Sequence, residues 1–172
     1  MKRIKSILFV LVMATSLIAC GQKTSTEQEQ QYDLGVRYLS EGNYEEAIIA
    51  FTAAIDIDPK NVDAYLGRAS AYISSGETEE NLASALADYQ SVLELDDARA
   101  DAYLGMADAY IRQGNYREAL DILQQGMLKA NDTSKLQDKI NEIKESRRYV
   151  TVRTMRSDDG GTGIPVMAIW DQ

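Results

Sequence analysis

The sequence has 172 residues and carries 18 Lys and Arg against 27 Asp and Glu, a formal net charge of −9. A surface this acidic repels phosphate backbones, which excludes nucleic acid as an expected partner. There is no histidine and only one cysteine. This excludes internal disulfides and Ser-His or Cys-His catalytic pairs, and it removes the main nitrogen ligand of common zinc sites. We predict no metal, no cofactor and no enzymatic activity.

Residues 1–19 have the pattern of a secretory signal peptide. A basic start precedes an apolar run from Ile7 to Ala19, which is shorter than the about 20 residues of a membrane-spanning helix. The stretch LIAC, residues 17–20, resembles the bacterial lipobox. This resemblance implies that cleavage leaves Cys20 as the first residue, carrying lipid. The protein would then be anchored at the extracytoplasmic face of a bacterial membrane, or on a periplasm-facing outer membrane. A plain secretory signal and a buried free thiol are the alternatives.

Residues 20–31 are predicted to form a flexible tether after the lipidated cysteine. From Gln22 to Gln31 the segment is polar and lacks aromatic and branched apolar residues. Such composition cannot build a core and is typical of flexible linkers.

Three stretches, residues 28–61, 62–99 and 100–133, repeat one pattern. Their tyrosines, glycines and alanines align: Tyr38, Tyr72 and Tyr110; Gly42, Gly76 and Gly114; Ala47, Ala85 and Ala119. This pattern resembles the tetratricopeptide repeat, a helix-turn-helix unit of about 34 residues. The resemblance implies an all-α fold, an α-solenoid of three repeats in which stacking of neighbouring units supplies the core.

Two local features of the repeats are predicted from their sequence. The second repeat contains four additional residues near Glu77–Glu80, which add close to one helical turn. Asn43 and Asn115 each precede a glutamate by three positions. That spacing predicts a reciprocal capping box at the start of two helices.

Residues 134–172 are predicted to hold a helix and a tail. Leu136, Ile140 and Ile143 form a narrow apolar stripe, which favours a capping helix over residues 134–148 that closes the solenoid. Residues 149–172 are predicted to be a short β-prone or disordered tail, because YVTVRTM alternates as a strand does.

The resemblance also implies a groove lined by the first helix of each repeat. The family's groove positions fall on Tyr32, Val36, Leu39, Asp63, Leu66, Ser70, Ile73, Asp101, Leu104, Asp108, Ile111 and Arg112. Members that bind chaperones grip a C-terminal carboxylate with lysine, asparagine and arginine. The residues at those places here are Tyr32, Val36, Gly67, Asp101 and Gly105. The clamp is therefore absent.

These features together predict a membrane-anchored scaffold or adaptor. Its expected ligand is a protein or peptide segment with apolar anchors flanked by basic residues. A groove that is bare, or filled by the chain's own tail, is the alternative at this site. For the whole protein, the alternatives are an accessory ligand-binding or enzyme-associated module completed by the tail, and a purely structural spacer.

Overall fold

The structure, a computed structural model, describes the backbone of residues 26–157 and the side chains of residues 26–146. This part of the chain forms seven α-helices: α1 (26–41), α2 (Tyr44–Ile57), α3 (Val62–Ser75), α4 (Glu79–Leu95), α5 (Ala100–Arg112), α6 (Tyr116–Lys129) and α7 (Ser134–Ser157). The predicted signal peptide, Cys20, residues 20–25 of the predicted tether and residues 158–172 of the predicted tail lie outside the described residues.

The helices stack in chain order. Each of the helices α2 to α6 contacts the next helix along the chain. In addition, α3 contacts α5, and α5 contacts α7. The odd-numbered helices therefore lie side by side in one layer, with the even-numbered helices behind them. The all-α solenoid predicted from the sequence is confirmed for the described residues.

The core consists of three clusters of buried side chains, which follow one another along the stack. Alanines occupy many of the places where helices pack, so the helix axes can approach closely. In α2 the buried residues Ala47, Phe51, Ala54 and Ile55 share one face at helical spacing. Phe51 is completely buried, and burying a side chain of this size contributes about 2–3 kcal/mol.

The predicted capping boxes at Asn43 and Asn115 are wrong. Neither side chain makes a capping hydrogen bond. The preceding glycines, Gly42 and Gly114, both adopt a φ of 79°, a conformation that suits glycine. The tight turn that follows holds Asn43 at a ψ of 70°. In this conformation the side-chain amide of Asn43 donates a hydrogen bond to Glu41 Oε2 at 3.1 Å. The side-chain oxygen accepts no hydrogen bond from the backbone amides at the start of α2.

The additional residues of the second repeat lie in the α3–α4 loop and the first turn of α4. Helix α4 has 17 residues, whereas α2 and α6 have 14 each. Thr78 caps it by accepting a hydrogen bond from the Asn81 amide at 3.1 Å. The Asn81 side chain also donates to the Gly76 carbonyl at 3.2 Å. The longer helix is thus tied to the end of α3.

The flexible tether predicted for residues 20–31 is wrong for its described part. Residues 26–31 form the first turns of α1. Their glutamates and glutamines are polar, but their unbranched side chains lose little freedom in a helix, so they are good helix formers. The later turns of α1 pack on the core and so form a stable helix. Extending that helix towards the N-terminus adds one backbone hydrogen bond for each residue that is fixed, at small entropic cost.

The strand predicted from Tyr149 is also wrong. Helix α7 continues to Ser157, well beyond the predicted end at residue 148. An alternating stretch of this length would need a partner strand, and an isolated two-stranded hairpin is only marginally stable in water. Continuing an established helix requires no partner, because every added residue bonds within its own segment.

One largely buried ion pair, with its carboxylate in the core, connects three helices. Arg68 on α3 donates two hydrogen bonds to Asp88 on α4, from Nε at 2.8 Å and from Nη2 at 2.7 Å. Arg68 Nη1 also donates to the Thr52 hydroxyl on α2 at 3.0 Å. Asp88 is only 4% exposed. The carboxylate raises the pKa of Arg68, and the planar geometry fixes the register of α3 against both neighbours.

We expect Asp88→Ala to lower the free energy of unfolding by about 2–3 kcal/mol, because it leaves a partly buried guanidinium without its charge partner. The double variant Arg68→Met/Asp88→Leu removes both charges and should recover at least half of that loss. Urea denaturation measures both values. Lys129→Ala, which removes an exposed ion pair with Asp97, is the control and should change stability by less than about 1 kcal/mol. A loss in the double variant as large as in Asp88→Ala would contradict this account.

Candidate functional site

The predicted groove residues all lie on the layer of odd-numbered helices. Tyr32, Val36 and Leu39 are on α1, the four residues from Asp63 to Ile73 are on α3, and the five from Asp101 to Arg112 are on α5. We call the exposed side of α1, α3, α5 and α7 the groove face.

The apolar groove residues are anchored in the core. Tyr32 and Leu39 pack against the first core cluster, and the Tyr32 ring lies 5.9 Å from that of Phe51. The other four, Leu66, Ile73, Leu104 and Ile111, pack against the other two clusters and are partly buried. Val36 differs because 44% of its surface is exposed. The groove face therefore offers apolar surface on side chains that are already held in place.

Two of the predicted acidic residues, Asp63 and Asp101, are joined by Arg99. Its Nη2 donates to Asp63 Oδ1 at 3.1 Å and to Asp101 Oδ2 at 2.9 Å. Arg99 lies just before α5, so this cluster links α3 to α5. The hydrogen bond to Asp101, and then that to Asp63, raises the pKa of Arg99. Burial, and then the charge of Asp63, raises the pKa of Tyr32 on α1.

A second cluster joins α5 to α7. Lys139 Nζ lies 3.3 Å from Asp108 Oδ1 and 2.9 Å from Glu142 Oε2. The hydrogen bond to Glu142, and then the charge of Asp108, raises the pKa of Lys139. In each of the two clusters, two carboxylates share one cation. Each cluster therefore has a net charge of about −1. The acidic character predicted for the groove is present but smaller than the sequence suggested.

Arg112, the one predicted basic residue of the groove, pairs with Glu77. Glu77 belongs to the additional residues of the second repeat, in the loop between α3 and α4. This ion pair fixes that loop to the end of α5. Both side chains are exposed, so the pair contributes less than about 1 kcal/mol to stability.

The sequence analysis did not single out Tyr89, a buried residue on α4 that packs against α5. Its ring lies against Gly105 on α5: a Cβ built there would stand 2.3 Å from Tyr89 Cζ and 2.7 Å from its hydroxyl oxygen. Burial is the main cause that raises the pKa of Tyr89. The nearby Ser70 hydroxyl lowers this pKa, and the charges of Asp108 and Asp101 raise it. Arg99 and Lys139 were missed as well, since both stand outside the family's groove positions.

Gly67 and Gly105, which replace clamp residues, are each covered by a ring from an even-numbered helix. A Cβ at Gly67 would stand 2.5 Å from Phe51 Cζ. These distances are far inside van der Waals contact, so neither position accepts a side chain unless the ring moves. The space beside these two glycines is filled by the Phe51 and Tyr89 rings, which come from the layer of even-numbered helices.

Among residues 26–157, no group of three or more cysteine, aspartate or glutamate side chains is placed to hold a metal ion. None of the seven described helices combines the length and hydrophobicity needed to cross a bilayer.

The described helices define a helical-repeat protein whose units pack only on their neighbours. Two models of the tetratricopeptide repeat family match the chain, one over residues 35–76 and one over residues 78–143. The solenoid is therefore built from tetratricopeptide repeats. No curated protein matches the sequence significantly.

Solved structures share this fold. The first tetratricopeptide domain of human RPAP3 is 21% identical with a TM-score of 0.62, over 73% of this chain and 96% of that one. The TPR2B domain of yeast Sti1 is 23% identical with a TM-score of 0.62, over 70% and 98%. The MamA protein is 21% identical with a TM-score of 0.60, over 72% and 65%.

The buried hydroxyl of Tyr89 predicts a pH dependence. Because its pKa is raised in the folded protein, its contribution to stability is complete below the unfolded value of about 10 and is lost as pH rises through the folded pKa. Subtracting the alkaline absorbance titration of Tyr89→Phe from that of the wild type isolates the ionisation of the Tyr89 hydroxyl. We expect the midpoint of this difference curve to lie above pH 10. A midpoint at or below the value of a free tyrosine would contradict the burial described here.

Proposed function

We propose that this protein is an adaptor that holds a segment of another protein on its groove face. The observation that carries the proposal is the arrangement of that face: partly exposed apolar side chains fixed by the core, beside two charged clusters. Pre-ordered apolar side chains lose little entropy on binding, which favours their use as contact points for an extended segment or a helix. A catalytic role has no comparable support.

Structures of the same fold support a groove that binds peptides. The first domain of Spaghetti (RPAP3), 22% identical, is bound to the HSP90 peptide SRMEEVD, and the yeast Sti1 domain is in complex with pHsp70. At such identity the likeness shows the fold alone. We take from it that this fold can hold a peptide, and not the identity of the ligand.

The chemistry of the face favours a segment with apolar anchors and basic flanks. Tyr32, Leu66 and Leu104 supply apolar surface on three successive odd-numbered helices. The two clusters around Arg99 and Lys139 each retain one negative charge. Basic residues of a partner are attracted to this surplus, and acidic residues are repelled.

We further propose that the adaptor works at a bacterial membrane surface through lipid on Cys20. The LIAC stretch is the support for this proposal. The described part of α1 starts at residue 26, and the residues between it and Cys20 can span at most about 20 Å. The first repeat would therefore stay close to the membrane.

Val36→Glu tests the groove. Val36 is exposed and belongs to none of the core clusters, so the substitution leaves the fold intact. Peptides selected from a random 12-residue display library on the full-length protein should bind Val36→Glu about ten-fold more weakly, since a buried charge replaces an apolar contact. Fluorescence anisotropy measures the affinity.

Ile49→Glu is the matched control, because Ile49 lies on α2 and is 70% exposed. Its affinity for the selected peptides should equal that of the wild type. If the wild-type protein enriches no peptide over Leu66→Glu/Leu104→Glu, with both folded, the groove is not a binding site and the structural-spacer alternative takes its place.

Cys20→Ser tests the anchor. We expect it to abolish incorporation of an alkyne-labelled fatty acid and to move the protein from the membrane pellet to the supernatant, because the acceptor sulfur is gone. Thr24→Ser is the control and should behave as the wild type does. Unchanged labelling of Cys20→Ser would rule out lipidation at this residue.

A further inference from the structure

Helix α7 is much longer than the helices beside it. It has 24 residues, whereas α5 has 13 and α6 has 14. A short loop joins α6 to α7, so α7 starts beside the end of α6 and runs back along it. At 1.5 Å per residue, the first 14 residues or so cover the length of α6, and the last ten extend about 15 Å beyond it. The last buried side chain described on α7 is Ile143. We call residues 147–157, which follow this packed part, the α7 extension.

The α7 extension is basic, unlike the repeats that precede it. Its sequence, RRYVTVRTMRS, contains four arginines and no acidic residue. Residues 28–133, by contrast, contain 7 Lys and Arg against 20 Asp and Glu. The apolar residues Tyr149, Val150 and Val152 stand between two arginines on one side and two on the other. The extension therefore has the composition proposed above for a ligand of the groove face, with apolar anchors between basic flanks.

The groove face offers the opposite charge. Its two clusters, around Arg99 and Lys139, each contain two carboxylates and one cation. The four carboxylate side chains are between 48% and 68% exposed, so their negative charge faces solvent and can attract a basic segment. Beside them, Val36 is exposed and Leu66 and Leu104 are partly exposed. A helix can lie in such a groove through its apolar residues.

The extension of a chain is badly placed to reach the groove face of the same chain. Leu136, Ile140 and Ile143 are buried in the third core cluster along the stack and hold α7 beside α5 and α6. The extension continues that helix along its own axis. The groove face runs in another direction, from α7 across α5 and α3 to α1. A second copy of the chain is not restricted in this way.

We propose that the α7 extension of one copy binds the groove face of a second copy. The proposal rests on the proposed function, because it names an occupant for the same groove face. The contact joins two different surfaces, so it is heterologous. Each dimer keeps one free groove face and one free extension, and further copies add to either end.

Mixing two variants tests this arrangement. Val36→Glu impairs the groove face, and Arg148→Glu/Arg153→Glu reverses the charge of the extension. Native mass spectrometry of the full-length protein in mild detergent should show dimers and longer assemblies for the wild type. Each variant alone should associate at least ten-fold more weakly. A mixture of the two should form dimers and nothing longer, because only one intact groove face meets one intact extension.

Lys60→Glu/Arg117→Glu is the matched control. It makes the same change in charge at two exposed positions, one in the α2–α3 turn and one on α6, and it should associate as the wild type does. The fold of Arg148→Glu/Arg153→Glu is checked by its affinity for a library-selected peptide, at a concentration where the wild type is monomeric. That affinity should equal the wild-type value.

A peptide of residues 146–157 with blocked ends tests the contact directly. Fluorescence anisotropy should show that it binds the full-length protein. Replacing its four arginines with glutamine should weaken binding about ten-fold, since the attraction to the carboxylates is lost. Val36→Glu should weaken binding of the unchanged peptide by a similar factor.

The outcomes separate this inference from the proposed function. If library-selected peptides bind the groove face but copies of the protein do not associate, the inference is overturned and the proposed function stands. Association of either variant alone that is as tight as that of the wild type overturns the inference, because another surface is then responsible. A mixture that forms no dimer, although the wild type does, overturns it as well. If neither the selected peptides nor the extension peptide binds, both fall.

Discussion

The close approach of aromatic rings to glycine backbones holds this solenoid together. Phe51 fits between Gly35 and Gly67, Tyr89 covers Gly105, and Tyr103 is packed on Gly126. In each case the glycine leaves room for a ring, so two helices of adjacent layers come into direct contact. The same contacts determine which parts of the groove face can carry side chains.

Electrostatics on the groove face follows a simple rule: one cation between two carboxylates. Arg99 joins α3 to α5, and Lys139 joins α5 to α7. The ion pairs therefore connect neighbouring odd-numbered helices, and each cluster keeps a net negative charge. Exposed ion pairs contribute little to stability. Their greater effect is on orientation, because they fix where each carboxylate points before a ligand arrives.

Most of the fold could be predicted from the sequence because the repeat encodes the same local packing three times. Tyr38, Gly42 and Ala47 recur with their equivalents, and each recurrence constrains the others. Two of the failures concern segments at the ends of the array. Residues 26–31 were predicted to be tether from their composition, and the stretch beyond residue 148 was predicted to be a strand from its alternation. The capping boxes at Asn43 and Asn115 failed inside the repeats, because the turn after each glycine holds the asparagine away from the helix end. Tyr89, Arg99 and Lys139 were missed because contacts between repeats depend on three-dimensional stacking that no single repeat contains.

The nearest-neighbour stacking of α1 to α7 has a consequence for cooperativity. Among α2 to α7, helices contact only those one or two places away along the chain, so the array behaves as a one-dimensional chain whose ends can open without its centre. The network of Thr52, Arg68 and Asp88 strengthens one link, that of α2, α3 and α4. A segment lying along the whole groove would touch the first and last repeats at once. Such a ligand supplies the long-range contact that the array itself lacks, and it turns a set of loosely coupled repeats into one unfolding unit.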